Sequence, residues 1–242
     1  MAWGRYADRA SGGITVYRID LARVGEHLPP SLNGDEHARA ARFHFAADRA
    51  RFVASRTALR HILAEILHVA PAAVQFALGV HGKPGIAGDR NPGDWRFNLS
   101  HSAGIALIAV TQGRPIGIDI EVLRPLPRQM MEILPSLAPA EQSALQLVPE
   151  ADQATAFLRC WTRKEAVIKA IGAGLTMELA SFSVSIGTAA GPVTWAAAAH
   201  AELGQWSLHT LDQPCAEPTP FLAALAVGGA PAPIRVVDFP PF

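Results

Sequence analysis

The stretch Pro115-Ile116-Gly117-Ile118-Asp119-Ile120-Glu121 alternates isoleucine with glycine or acid, the period of a β-strand. Successive strand side chains point to opposite faces, so Ile116, Ile118 and Ile120 can enter a core while Asp119 and Glu121 share the other face. Their Cα atoms are then ~7 Å apart, and carboxylates that close repel unless a cation or water lies between them. The same pattern also fits an amphipathic edge strand with solvated acids.

Upstream of this strand, residues 74–80, 95–99 and 105–111 read as further strands, separated by Gly82-Lys83-Pro84-Gly85, Asn91-Pro92-Gly93-Asp94 and Gln112-Gly113-Arg114-Pro115. Before them a strand over 14–21 leads to a helical stretch over roughly 35–69. Its apolar stripe is Phe43, Phe52, Leu59, Ile62, Leu63, Ile66 and Leu67; it breaks near Phe45–Asp48 and Pro71 stops it. Downstream, Leu123-Arg124-Pro125-Leu126-Pro127 reads as a linker. A second helical region over roughly 129–171 is punctuated by Pro135, Pro139 and Pro149. Strand-like runs at 181–186, 206–211 and 221–227 come next, 234–239 is another candidate, and 187–200 reads as a loop. Each half is helix first and strands after. The expected fold class is α+β, with two similar-sized lobes, residues 1–123 and 124–242, in a pseudo-twofold arrangement.

Composition narrows the function. The 242 residues carry 21 Lys+Arg against 21 Asp+Glu, and half are apolar. That excludes disorder and argues against nucleic acid as a partner bound through a broad basic face. No apolar run reaches the ~18 residues of a membrane helix, and Met1–Tyr6 is too polar for a signal peptide, so a cytoplasmic protein is expected. Cys160 and Cys215 provide neither a disulfide framework nor zinc-ligand spacing.

Four further segments bear chemistry. In residues 157–172, Phe157, Cys160, Trp161, Ile168 and Ile171 recur at helical spacing, and Glu165 and Lys169 share a face at i,i+4. Lys164 falls on the apolar stripe, where an ammonium needs a partner or a route to solvent. Phe97-Asn98-Leu99-Ser100-His101-Ser102 gathers donors beside Gly104, suited to an anion or simply to a turn. Gly82-Lys83-Pro84 holds a cation in a rigid turn but is not a P-loop. Arg39, Arg42, Arg49, Arg51, Arg56 and Arg60 line the first helical region, either as a solvated face or fastened to acids. Each segment alone has a bland reading: a solvated Glu–Lys pair, a capped turn. Together they describe Mg²⁺-dependent chemistry on a phosphate ester.

In this order and at these intervals, Gly82-Lys83-Pro84, residues 97–102, residues 117–121 and residues 161–169 resemble the successive motifs of the Sfp-type 4′-phosphopantetheinyl transferase family. Residues 48–56 are similar too, and the resemblance covers roughly residues 12–185. It implies a pair of α+β lobes with the active site at their interface. It also implies Mg²⁺-dependent transfer of the 4′-phosphopantetheine arm of coenzyme A to a serine of an apo carrier protein, releasing adenosine 3′,5′-bisphosphate. Residue by residue, Asp119, Glu121 and Glu165 match the metal ligands, and Glu165 and Lys169 the catalytic positions. Lys83, Pro84, Ser100, His101 and Lys169 match coenzyme-binding positions, with Arg51 and Arg56 as additions for the 3′-phosphate. The expected state is a monomer.

The chain departs from the family where lysines often open the first helix; here Asp35-Glu36-His37-Ala38-Arg39 offers one evident cation. A non-catalytic coenzyme A or nucleotide-binding protein on the same scaffold is the alternative, and an unrelated Mg²⁺-dependent phosphohydrolase a third reading. For the carrier protein, Met130, Met131, Ile133, Leu134 and Leu137, flanked by Arg124 and Arg128, are either a landing surface or part of the second lobe's core.

Overall fold

The structure is a computed structural model that describes residues 13–124, 132–195, 205–213 and 219–239. The chain divides into two compact units. The first comprises residues 1–78, 84–113 and 232–242, the second residues 79–83 and 114–231. Among the described residues no helix is long and apolar enough to cross a membrane.

In chain order the first half contains β1 (Ile14–Asp20), α1 (Leu21–His27), α2 (Gly34–Ala41) and α3 (Ala46–Leu67). Short strands β2 (Phe76–Leu78) and β3 (Pro84–Ile86) come next, then β4 (Trp95–Ser102) and β5 (Ile105–Gln112). The second half contains β6 (Ile116–Val122), α4 (Pro139–Gln146), α5 (Glu150–Ile171), β7 (Phe182–Ser183) and β8 (Thr194–Trp195). The last strands are β9 (Trp206–Thr210), β10 (Phe221–Gly228) and β11 (Ile234–Phe239).

In the first unit the sheet order is β11-β1-β5-β4, with β1 parallel to β11 and antiparallel to β5. The helical stretch breaks at residues 42–45, just upstream of the expected Phe45–Asp48. Its first helix starts with a capping box in which the Asn33 side chain accepts from Glu36 N and the Glu36 carboxylate accepts from Asn33 N. Asp20 caps α1, a helix that the sequence patterning does not reveal, by accepting Ala22 N at 3.0 Å. Ala58, Leu59, Ile62 and Leu63 of α3 pack with Ile19, Phe97, Ala106 and Ile108 of the sheet. His68 ends α3 in the left-handed region at φ 56°, three residues before Pro71.

In the second unit β10 pairs antiparallel with β6 on one side and β9 on the other. Of the stripe expected of α5, Phe157, Cys160 and Ile168 are buried with Val167, Phe182, Leu208, Ala224 and Ala226 in one core, while Trp161 and Ile171 pack against it partly buried. Leu137 is buried in this core and Leu134 packs against it partly buried, so these two face inward rather than forming a landing surface. Arg124 is exposed; Arg128, Met130 and Met131 lie outside the described residues, as does Cys215.

The chain is divided at 113/114, not at the expected 123/124. β6 takes its hydrogen bonds from β10, so it belongs with the downstream half of the chain, while β11 returns to pair with β1. Strand pairing, a long-range property, overrides the local linker chemistry at Pro125 and Pro127.

Candidate active site

Gly117 decides the geometry. A β-carbon there would stand 2.1 Å from Ala166 O and 2.3 Å from Ala170 N, so α5 lies with its backbone directly on the strand, which only glycine allows. The cross-strand register agrees: Gly117 opposes Ala226 and Asp119 opposes Ala224, and both alanines sit in the core beneath α5. The odd-numbered face of β6 is therefore the helix-covered face. Asp119 is buried there, while Ile116, Ile118 and Ile120 are buried on the other. The expected sharing of a face by Asp119 and Glu121 holds; an apolar face opposed to a solvated one does not, because both faces of the strand are covered.

Asp119 and Glu121 thereby meet the turn of α5 that carries Glu165 and Lys169. Lys169 Nζ donates to Asp119 Oδ1 at 2.5 Å; the lysine side chain is 29% exposed and the aspartate 6%. Burial and the neighbouring Asp119, then Glu121, push the Glu165 carboxyl above its ordinary range, against the opposing pull of Lys169. Three carboxylates against one ammonium leave an excess of negative charge. Hard oxygens carrying such an excess suit a divalent cation of the Mg²⁺ kind. Among the described residues no group of three His, Cys, Asp or Glu side chains is gathered closely enough to hold a metal ion; the cation at Asp119 is Lys169's own ammonium.

This crowding has a testable sign. The folded-state pKa of Glu165 lies above the ordinary 4.5, so its ionisation is disfavoured by folding. Stability falls as pH rises from the unfolded value through the raised folded value. Glu165→Gln is therefore expected to raise the Tm in metal-free buffer at pH 8, and the gain should shrink steadily as pH falls through the ordinary value of 4.5, because the carboxyl becomes protonated in both states. Melts by circular dichroism at pH 8 and pH 4 check this; a lower Tm for the variant at pH 8 overturns the repulsion.

The remaining sequence-predicted positions are distributed unevenly. Lys83 lies in the second unit, where its ammonium donates to Ile116 O at 2.9 Å and Ala170 O at 3.0 Å. Pro84 opens β3, and Ser100 and His101 are on β4, all in the first unit. As neighbours in a strand Ser100 and His101 face opposite ways, the serine buried and the histidine exposed. Arg56 pairs with Glu36 Oε1 at 2.6 Å and lies 4.5 Å from the Phe76 ring centroid, while Arg60 binds Glu36 Oε2 at 2.6 Å. The guanidinium of Arg56 is thus already engaged by Glu36, within the stretch where the family often carries lysines. Arg51 pairs with Asp48 at 2.9 Å on the exposed side of α3.

Two residues that shape the site escaped the sequence reading. Gly117 carried a signal, since an isolated glycine within a strand marks close backbone approach. Glu141 carried none: it is the buried partner that Lys164 needs, at 2.9 Å, and the pair joins α4 to α5.

The chain matches two family models, "4′-phosphopantetheinyl transferase, N-terminal" over residues 26–113 and "4′-phosphopantetheinyl transferase superfamily" over residues 115–221. The junction of the two coincides with the division between the structural units. The chain is 42% identical over 174 residues to the 4′-phosphopantetheinyl transferase HetI of Nostoc sp., covering 68% of this chain and 71% of that protein. It is 28% identical over 174 residues to the 4′-phosphopantetheinyl transferase Sfp of Bacillus subtilis, covering 72% and 75%. With the 4′-phosphopantetheinyl transferase AcpT of Escherichia coli the identity is 33% over 162 residues, covering 65% and 74%.

Proposed function

The chain belongs to the 4′-phosphopantetheinyl transferase superfamily, and from that premise we propose how its residues carry the transfer of phosphopantetheine from coenzyme A to carrier proteins. The observation that supports the assignment of roles is the convergence of Asp119, Glu165 and Lys169 beneath one turn of α5, with Glu121 two residues along the strand.

Asp119, Glu121 and Glu165 are not gathered into a ready-made metal site. They would hold Mg²⁺ only with substrate oxygens completing the set, and the ion would then supply charge neutralisation at the coenzyme A pyrophosphate. Glu165 is assigned the proton of the carrier serine, taken directly or through a bridging water. Burial and the two neighbouring acids raise its proton affinity in the metal-free protein, and a bound cation would lower it again. The serine oxygen then forms its bond to the β-phosphorus as the bond to the bridging oxygen breaks. Lys169 donates a hydrogen bond to the leaving phosphate of adenosine 3′,5′-bisphosphate, turning from Asp119 through its solvent-exposed end. Ser100, His101 and Arg51 are assigned to coenzyme A. Arg56 is less free to reach the 3′-phosphate, because its guanidinium is already bonded to Glu36, a carboxylate it shares with Arg60.

Incubating the protein with coenzyme A, Mg²⁺ and several apo carrier proteins, then weighing the carriers, tests this reading. A carrier that gains one phosphopantetheine group, and loses that gain when chelator is added, is the expected result. Coenzyme A binding with no mass gain on any carrier would favour the non-catalytic reading, and coenzyme A cleavage without carrier the hydrolase.

A further inference from the structure

Lys83 stands at a position matched to coenzyme binding, yet its ammonium is directed into the protein. The two carbonyls it reaches, Ile116 O and Ala170 O, belong to β6 and to the last turn of α5. They flank the place where Gly117 lets strand and helix touch backbone to backbone. Ile116 is three residues before Asp119, and Ala170 directly follows Lys169. The last carbonyls of a helix have no intrahelical partner and carry the negative end of its dipole, so an ammonium there is doubly favourable. The lysine stem lies along the helix end: a β-carbon added at Gly172, where φ is +81°, would be 3.2 Å from Lys83 Cδ.

The crossing at Gly117 has no side chain on the strand to interlock with the helix. Ridges seated in grooves normally fix the register of packed elements, and here that restraint is missing at the crossing point. A donor bonded to both backbones replaces it. We propose that Lys83 is a positioning residue: by bridging β6 and the C-terminus of α5 it holds Asp119 and Glu121 in register with Glu165 and Lys169, rather than touching coenzyme A through its ammonium. This rests on the assignment of those four residues to the transfer reaction.

The two roles separate kinetically. Removing a side chain that binds coenzyme A in the ground state raises KM for coenzyme A, whereas a slipped catalytic set lowers kcat. A misplacement of about 1 Å is enough to cost on the order of a hundredfold. Lys83→Met keeps the stem and removes the donors. It is expected to lower kcat by roughly 10–100-fold with KM for coenzyme A changed less than about threefold, and Lys83→Arg, which keeps donors and charge, to recover much of the loss. Independently of activity, hydrogen exchange should quicken in residues 168–172 and in β6 of Lys83→Met. Should Lys83→Met not fold, Lys83→Gln, with one donor group left, is read in the same way. A raised KM with kcat preserved would make Lys83 a coenzyme-binding residue and overturn the proposal, as would unchanged kcat and unchanged exchange in a folded variant. Wild-type protein that transfers nothing, combined with faster exchange in the variant, would sink the reaction assignment but leave the bridge standing.

Discussion

Replacing Asp119 by alanine is expected to lower kcat/KM for carrier modification by at least about a hundredfold while leaving the chain folded, a loss of about 2.7 kcal/mol of transition-state stabilisation. The activity loss arises from position. Asp119 is the buried member of the acid set, receives Lys169 Nζ at 2.5 Å, and pushes on Glu165. Without it the set loses one hard oxygen donor, and Lys169 loses the acceptor that aims it. The fold should survive for an electrostatic reason: the substitution removes one charge from a group with excess negative charge, and Lys169 is exposed enough to stay hydrated. Steady-state kinetics at millimolar Mg²⁺ and a thermal melt are the measurements. Near-wild-type turnover would remove Asp119 from the metal assignment. A collapse of Tm would instead show that its carboxylate is structural.

The largest expected effect on stability lies elsewhere, at Glu141. Glu141→Ala should cost about 3–5 kcal/mol, and so lower the Tm by roughly 10 °C in a chain of this length. The Glu141 carboxylate accepts Val184 N at 2.8 Å and Ala138 N at 2.9 Å, and pairs with Lys164 Nζ at 2.9 Å. Lys164 is fully buried; it also donates to Leu179 O at 2.7 Å and Phe182 O at 2.6 Å and lies 4.1 Å from the Phe182 ring centroid. Removing the carboxylate strands an ammonium in the core and leaves two backbone donors with nothing to bind. Burial already draws the Lys164 pKa down, opposed by Glu141, so the deficit of the variant should narrow at alkaline pH as the lysine sheds its proton. Glu141→Leu combined with Lys164→Met should recover a large part of the loss, since an apolar pair avoids the desolvation cost of two charges. Equal melting temperatures for Glu141→Ala and the parent would mean that other interactions hold α4 in place.

Much of this architecture lies on the surface of the chain's patterning. The strand from Ile116 was legible because isoleucine alternates at 116, 118 and 120, between turn residues on one side and prolines on the other. The helix carrying Glu165 and Lys169 was legible because its stripe repeats every three or four residues over several turns. The order of the motifs identified the reaction, since each motif is short and contiguous. Less legible were features that depend on residues far apart in sequence. Lys164 announced that it needed a partner, but the partner lies in another helix behind a proline, with no pattern to mark it. Arg56 and Lys83 were matched to a coenzyme by resemblance alone. That one is bonded to Glu36 and the other to two backbone carbonyls was not visible, because a free basic side chain and a bonded one look alike in a sequence.

What the amino-acid order alone determined is therefore local and periodic: which segments are strands or helices, which acids share a face, and which family the motifs belong to. Tertiary structure decided which face of β6 lies under α5, where the chain divides, and which charges already have partners. The physical reason is the range of the interactions. Alternation and helical spacing are set by neighbours within a few residues, whereas strand pairing, backbone contact at Gly117 and the pairing of Lys164 with Glu141 and of Arg56 with Glu36 arise only when distant segments meet.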